Sequence, residues 1–218
     1  LVPLVCREAW CRELQGLSLR NIAIQVTDRK EGKELYRDFG EMLFTHFGVS
    51  GPVVLSASAH MRDFIPDRYQ VSIDLKPGLS AEQLDLRLQR DFQKFQNRDF
   101  SNSLHELLPK KLIPVAVKLS GVPAEKKCNQ ISRQERLDFG RLLKSLTVTV
   151  AGFRPIEEAI ITSGGVAVNE VSPKTMESKL VKGLFFAGEV LDVDAYTGGF
   201  NLQIAFSTGY LAGNSIWG

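Results

Sequence analysis

Apolar and polar residues alternate along Asn21-Ile22-Ala23-Ile24-Gln25-Val26, along Tyr69-Gln70-Val71-Ser72-Ile73-Asp74-Leu75 and along Leu146-Thr147-Val148-Thr149-Val150. A period of two puts the apolar side chains of each stretch on one face of a strand, so these segments must form sheet with one side buried. Such half-buried sheets are antiparallel, because parallel ones are covered on both faces and read as unbroken apolar runs. Leu17-Ser18-Leu19-Arg20 extends the first stretch backwards, and the charged Asp28 to Lys33 segment, with Gly32, reads as a hairpin turn into Lys33 to Asp38. The expectation is an α+β chain built on a β-rich, barrel-like antiparallel domain over residues 1–78, completed by 143–152.

After Pro77-Gly78 the period changes. Leu84, Leu88 and Phe92 fall on one helical face, and Ser80 with Gln83 three positions on has the form of a capping box. Ser132 with Glu135 repeats that pattern, and further helices are expected over Ser103 to Leu108, Lys110 to Leu119 and Ser132 to Leu143. Residues 79–142 are therefore expected to be a helical insertion, small enough to need its neighbours for stability. Earlier, the Gly48 to Pro52 turn leads into Val53 to Met61, with Pro52 suited to the first helical position.

The 218 residues suffice for one or two domains with a real core, and 44% hydrophobic with 24% charged residues excludes a disordered or fibrous chain. A formal charge of +2 argues against nucleic acid as a dominant partner, and Lys110-Lys111 and Lys126-Lys127 read as a solvated surface. Cys6, Cys11 and Cys128 are few, odd in number and lack C-x-x-C spacing, which disfavours a disulfide framework or a zinc site. No apolar run approaches the ~20 residues that span a bilayer. No membrane partner and a cytoplasmic setting are the default expectations.

The C-terminal part, residues 153–218, carries the chemistry. Gly183-Leu184-Phe185-Phe186-Ala187-Gly188-Glu189 reads as a buried strand that ends where Gly188 lets backbone approach a ligand. Gly198-Gly199-Phe200-Asn201 reads as a loop freeing main-chain donors at the start of a helix, an arrangement suited to a large anionic cofactor. Ala205, Gly209 and Gly213 form a small-residue stripe on that helix, fit either for docking on the strand or for ordinary internal packing.

The stretch GLFFAGEVLDVDAYTGGFNLQIAFSTGYLAG resembles the closing motif of the BaiN-like (YhiN-type) family of NAD(P)/FAD-dependent oxidoreductases. Three other stretches agree with that family in order: Gly40-Glu41-Met42-Leu43-Phe44-Thr45-His46-Phe47-Gly48-Val49-Ser50-Gly51-Pro52, then Thr162-Ser163-Gly164-Gly165-Val166, then Pro173-Lys174-Thr175-Met176-Glu177-Ser178-Lys179. Ser163 departs from the family's alanine. The resemblance implies a β-rich domain and a helical domain inserted into a split flavin-binding α/β domain. Of that domain this chain would hold the C-terminal strand-helix part, with Ala159 to Thr162 entering the Gly164-Gly165 turn and Gly183 to Ala187 as a parallel strand.

The same resemblance implies FAD as cofactor and NAD(P)H as reductant. It places Glu189 beside the flavin ribityl chain, where a carboxylate accepts strong hydrogen bonds from hydroxyls. Backbone N–H groups at Gly198, Gly199, Phe200 and Asn201 would face the pyrimidine edge of the flavin, and Gly164 and Gly165 would allow close approach of the ring, although a helix start and a tight turn account for the same glycines. The family opens with a G-x-G-x-x-G fingerprint that this sequence lacks. The chain is thus expected to be the C-terminal portion of a protein roughly twice as long, completed by an N-terminal dinucleotide-binding segment, and by itself to hold FAD weakly or not at all and to be inactive.

No catalytic residue is assigned. His46, His60 and His105 are dispersed and fit no triad or metal spacing, and an EF-hand count from Asp192 fails at Thr197 and Gln203. The leading reading is part of a flavoprotein oxidoreductase passing hydride from NAD(P)H through FAD to a small organic acceptor, with no metal. The alternative is a non-catalytic module that shapes a substrate cleft or binds a partner.

Overall fold

The computed structural model describes residues 1–63 and 65–216 of the chain. Two compact units are present, Pro3–Arg154 and a C-terminal unit in which Leu1–Val2 joins Pro155–Gly218. The last two positions of the expected 153–218 segment lie outside the described residues.

In the first unit six strands, β1 (Leu4–Cys6), β2 (Ser18–Asp28), β3 (Lys33–Phe44), β4 (Gly48–Ser50), β5 (Tyr69–Asp74) and β6 (Leu146–Phe153), close into a barrel. Their order is β1-β4-β3-β2-β5-β6, with every neighbouring pair antiparallel and β6 returning to β1. Closure removes the sheet edges that would otherwise offer unpaired backbone to another chain. The alternating residues point inward: Ile22, Ile24, Val26, Met42, Phe44, Val71, Ile73, Val148 and Val150 are each 2% exposed or less. Burial of such side chains contributes about 1.5–3 kcal/mol apiece.

One departure from strict alternation has a local cause. Leu19 and Ile22 are three residues apart, so a regular strand would point them to opposite faces, yet both are buried. The β2–β3 register shifts between them, and Asn21 there takes a φ of 55°, a left-handed conformation that asparagine tolerates better than most residues. Gly48 meets a different demand. Its φ is 157°, and a Cβ there would lie 2.3 Å from the Leu4 carbonyl oxygen and 2.7 Å from the Cys6 nitrogen, so only glycine lets β1 pass.

At the β2–β3 hairpin the buried Asp28 carboxylate accepts from the Lys30 N–H at 2.9 Å and pairs with Arg68 at 2.7 Å. The Arg68 hydrogen bond holds the Asp28 carboxyl below its ordinary value, against the opposing effect of desolvation.

Helices α1 (Trp10–Glu13) and α2 (Pro52–Ser58) lie in the same unit, and Pro52 occupies the first turn of α2 as its fixed φ favours. Four more follow β5: α3 (Ala81–Lys94), α4 (Phe100–Ser103), α5 (Ile113–Ser120) and α6 (Arg133–Lys144). Both capping boxes form, Ser80 with Gln83 on α3 and Ser132 with Glu135 on α6. The helix expected over Ser103 to Leu108 is instead α4 followed by a 3-10 turn at Leu104–Glu106, and α5 starts at Ile113 with Pro114 in its first turn. Phe100 packs edge-on against Phe92 at 5.9 Å and Phe139 at 5.1 Å, a favourable aromatic geometry. These side chains belong to one apolar cluster continuous with the barrel interior, so barrel and helical layer share a single core.

The C-terminal unit contains one long helix, α7 (Phe200–Ser215), and a small cluster of Val171, Met176, Leu191 and Ala212. Neither Ala159 to Thr162 nor Gly183 to Ala187 forms a strand ladder, contrary to the sequence expectation. The Leu184 to Phe186 backbone bonds back to a neighbouring turn, through Ser178 N–H to the Leu184 carbonyl at 2.7 Å and Phe186 N–H to the Met176 carbonyl at 3.0 Å. Positive φ values at Gly183 and Gly188 turn the chain away at both ends, leaving a single antiparallel bridge, Glu177 to Phe185. The parallel pairing that does occur is one bridge, Val166 to Leu191. Among the described residues no helix is long and apolar enough to cross a membrane.

Candidate functional site

The expected site residues all fall in the C-terminal unit, where two of the glycine segments meet. Gly164 N–H donates to the Asp192 carboxylate at 3.0 Å, Val166 N–H to the Val190 carbonyl at 2.8 Å, and Asp192 N–H back to the Val166 carbonyl at 2.9 Å. Gly165, at φ 150°, sits where a Cβ would come within 2.5 Å of the Val190 oxygen. Its lack of a side chain serves contact between two backbone segments, which neither close ligand approach nor a turn requirement alone explains. Gly164, at φ 97°, faces open space.

Gly188 and Glu189 open a 3-10 turn, Gly188–Val190, which is fastened to the middle of α7. Gly188 N–H donates to Thr208 Oγ1 at 2.9 Å, and the same hydroxyl donates to the Ile204 carbonyl at 2.7 Å. Eight residues separate Phe200 from Thr208, so this anchor lies roughly 12 Å along the axis from the helix start at 1.5 Å per residue. The Glu189 side chain is exposed, with no hydrogen-bond or ion-pair partner among the described residues. A carboxylate in that state remains available to accept from a ligand hydroxyl.

At the other end, α7 starts behind Gly199, whose φ is 88°, with no side-chain cap on its first amides. Those amides carry the positive end of a 16-residue helix. Gly199 faces open space, and a Cβ on Gly198 would meet the Phe200 ring at 3.3 Å. Phe200 itself is 60% exposed. Asn201 is committed elsewhere: its side chain accepts from Ala195 N–H and donates to the Ala195 carbonyl, both at 2.8 Å. Asn201 therefore closes the 195–201 loop with its side chain.

Of the small-residue stripe on α7 only Ala205, half-buried beside Gly188, meets a neighbour. Gly209 and Gly213 are exposed with open space beside them, while the covered side carries Thr208, Leu211 and the buried Ala212. Sequence reasoning missed Thr208 and Asp192 as the residues that fix the glycine loops; a helical threonine bonding its own i−4 carbonyl and an aspartate in a glycine-rich loop were the available signals.

The histidines have structural settings. His46 is exposed on the β3–β4 turn, edge-on to Phe47 at 4.9 Å, and His60 stacks on Tyr36 at 4.6 Å. The thiols are free, and a hydrogen bond with Cys11, followed by burial, pushes the Cys6 thiol up from its ordinary value.

Comparison with known proteins adds what geometry alone does not. The model of the HI0933-like protein barrel and H2TH domain matches residues 1–161. A 3-dehydro-bile acid delta(4,6)-reductase of Clostridium scindens is 33% identical over 183 residues, 83% of this chain and 45% of that protein. Ribosomal RNA dihydrouridine synthases of Escherichia coli and Haemophilus influenzae are 32% and 34% identical, each over 99% of this chain and 51% of their own length. The chain spans about half the length of the curated relatives it matches.

Proposed function

The chain belongs to the HI0933/BaiN-like family, and from that premise we propose that it is part of a flavoprotein oxidoreductase that reduces a carbon–carbon double bond conjugated to a carbonyl. The relatives carry the reading: a delta(4,6)-reductase of a 3-dehydro steroid and a synthase of dihydrouridine are both named for saturating such a bond. FAD would supply the relay of hydride from NAD(P)H to the acceptor.

Residues of the C-terminal unit fit part of an FAD cradle. The Glu189 carboxylate is free to accept from ribityl hydroxyls, the uncapped first amides of α7 offer donors and positive potential where negative charge gathers on reduction, and Gly164 and Gly199 leave open space for a flat ring. Gly165, Gly188 and Asn201 hold the loops that present those groups, through backbone contact, the Thr208 bond and the Ala195 clasp. The remaining contacts would come from a dinucleotide-binding segment of the same protein, in keeping with relatives about twice as long. The exposed Phe206 and Tyr210 on α7 offer that segment an apolar face.

The test is flavin retention and turnover. Purified in a form as long as its relatives, the protein is expected to carry a flavin absorption spectrum that bleaches with NADH or NADPH and recovers with a conjugated enone. Glu189→Gln should weaken flavin retention by about tenfold, the worth of one charge-assisted hydrogen bond of roughly 1.5 kcal/mol. A colourless protein that takes up no added FAD would end this reading and favour the non-catalytic module.

A further inference from the structure

We propose that the cleft framed by the turn after α3, by α4 and by the start of α5 binds a small phosphate monoester that carries an apolar aryl or alkyl body. The cleft has a volume of about 760 Å³, and Arg98, Asp99, Asn102, His105, Lys110 and Lys127 line it. An apolar depression of about 530 Å³ continues it, sharing Ser101, Ile113 and Pro114 and adding Val117 and Val122. Each volume lies in the ~300–1,000 Å³ range of ligand sites.

Main-chain hydrogen bonds hold the walls. Gly121, at φ 70°, ends α5 in a left-handed conformation and turns the chain back. Ser101 N–H then donates to the Ala124 carbonyl at 3.1 Å, Phe100 N–H to the Lys126 carbonyl at 2.8 Å and Cys128 N–H to the Arg98 carbonyl at 3.0 Å. On this frame Arg98 lies over the Phe95 ring, its guanidinium carbon 4.9 Å from the centroid, an arrangement that positions the group without engaging its N–H donors. Neither Arg98 nor Lys110 has a carboxylate within salt-bridge distance among the described residues, and both are exposed. Lys127 is held by Asp99 at 2.7 Å, a partner that leaves two of its three N–H donors for a ligand.

Charge and shape together select the ligand. Among the Asp, Glu, Lys and Arg side chains of the cleft, three cations meet one carboxylate, Asp99, which leaves the lining with two positive charges. A phosphate monoester carries about −1.5 to −2 charges at pH 7 and three strong acceptor oxygens, one for each of Arg98, Lys110 and Lys127. A carboxylate brings a single charge and two oxygens, and inorganic phosphate has no apolar body to cover Ile113, Pro114, Val117 and Val122. The continuity of a cationic cleft with an apolar depression therefore fits a ligand with both ends. None of the C-terminal residues proposed to cradle the flavin lines either cavity, so the inference stands apart from the reductase reading.

The test is a nuclear magnetic resonance titration of the isotope-labelled chain with phenyl phosphate and with inorganic phosphate, without flavin or nicotinamide. Phenyl phosphate is expected to bind with a Kd of about 1 mM, as suits so small a ligand, and about tenfold more tightly than inorganic phosphate. Amide shifts should move at Arg98, Asn102, Lys110 and Lys127 and stay fixed at Ile24 and Val71 of the barrel. Arg98→Ala and Lys110→Ala should each weaken phenyl phosphate about tenfold, the loss of one charge-assisted hydrogen bond. Both side chains are exposed, and an unchanged circular-dichroism melt checks that each variant folds. Ile113→Ser should remove most of the preference for phenyl phosphate while leaving inorganic phosphate unchanged. Arg37→Ala, an exposed barrel cation paired with Glu34, should bind as the parent. The proposal is overturned by the absence of a saturable shift at roughly ten times the expected Kd, by equal affinity for the two phosphates, or by shifts centred outside the cleft. Equal losses from Arg37→Ala, or capture by phosphatidic acid vesicles without binding of phenyl phosphate, would overturn it as well. Since neither flavin nor reductant is present, such a failure is separate from any failure of the reductase reading.

Discussion

Phe44 and Phe206 are the same side chain in opposite settings. Phe44 is fully buried in the barrel, 6.0 Å from the Trp10 ring, whereas Phe206 is 69% exposed on α7. The difference extends to the two units. Among the described residues the cluster spanning barrel and helical layer contains 38 buried apolar residues, and the C-terminal unit's contains four. Ordering the backbone costs about 1–2 kcal/mol per residue in either case, so the first unit can offset that cost by burial and the second depends on turns and side-chain-to-backbone bonds. Cooperative stability should therefore reside in Pro3–Arg154, while the C-terminal unit opens at lower free energy.

The largest expected effect tests the first half of that contrast. Phe44→Ala should destabilise the barrel unit by about 3–5 kcal/mol, as deletion of a fully buried aromatic ring does. Urea denaturation followed by tryptophan fluorescence reads it, since Trp10 is the neighbouring ring. A loss below about 1 kcal/mol would mean that the interior refills the space and is not the close-packed core the burial implies.

Gly165→Ala probes the other unit. The new Cβ would press on the Val190 oxygen from 2.5 Å, and the strain should cost about 1–3 kcal/mol locally. Hydrogen exchange should accelerate at the Val166 and Asp192 amides, which bond across this contact, and stay unchanged at the Ile24 and Val71 amides of the barrel. Acceleration at both sets would show that the two units do not open separately.

How far the sequence carried these distinctions depends on the range of the interaction. Strands β2, β5 and β6 were legible because burial of one face imposes a period of two, and the capping boxes of α3 and α6 because the cap and its partner lie three residues apart. The bulge at Asn21 was not, since it answers to register with β3. Gly165 was legible as a required glycine, but its reason, the approach of Val190, lies 25 positions away. Asn201 stood in a cofactor-like motif while its amide was taken by Ala195. The spacing of Ala205, Gly209 and Gly213 correctly put them on one helix; periodicity does not say whether that face is covered.

A smaller effect sharpens the stability of the first unit. Ser132→Ala removes the cap of α6 and should cost about 1 kcal/mol. Its partner Glu135 is held down to about 2 from an ordinary 4.5, first by the Lys126 ammonium at 2.6 Å and then by the Ser132 N–H. Because the folded value is the lower one, this carboxylate stabilises the fold fully above 4.5, and the contribution disappears as pH falls from 4.5 toward 2. Glu135→Gln should flatten the pH dependence of the melting temperature in that window. An unchanged profile would show that the acid sensitivity comes from other carboxylates, Asp28 among them.

The smallest expected effect decides what the exposed face of α7 is for. In this chain Phe206→Ser removes a ring that already meets solvent, so the unfolding free energy should change by no more than about 0.5 kcal/mol. In a form of the protein as long as its relatives, the same substitution should cost about 2 kcal/mol or more if the proposed dinucleotide-binding segment packs on this face, because the ring would then be withdrawn from water. Equal, negligible losses in both forms would leave Phe206 a surface residue and remove α7 as the seat of that segment. A large loss already in this chain would contradict the exposure of the ring, and with it the contrast between a unit held by its core and one held by its loops.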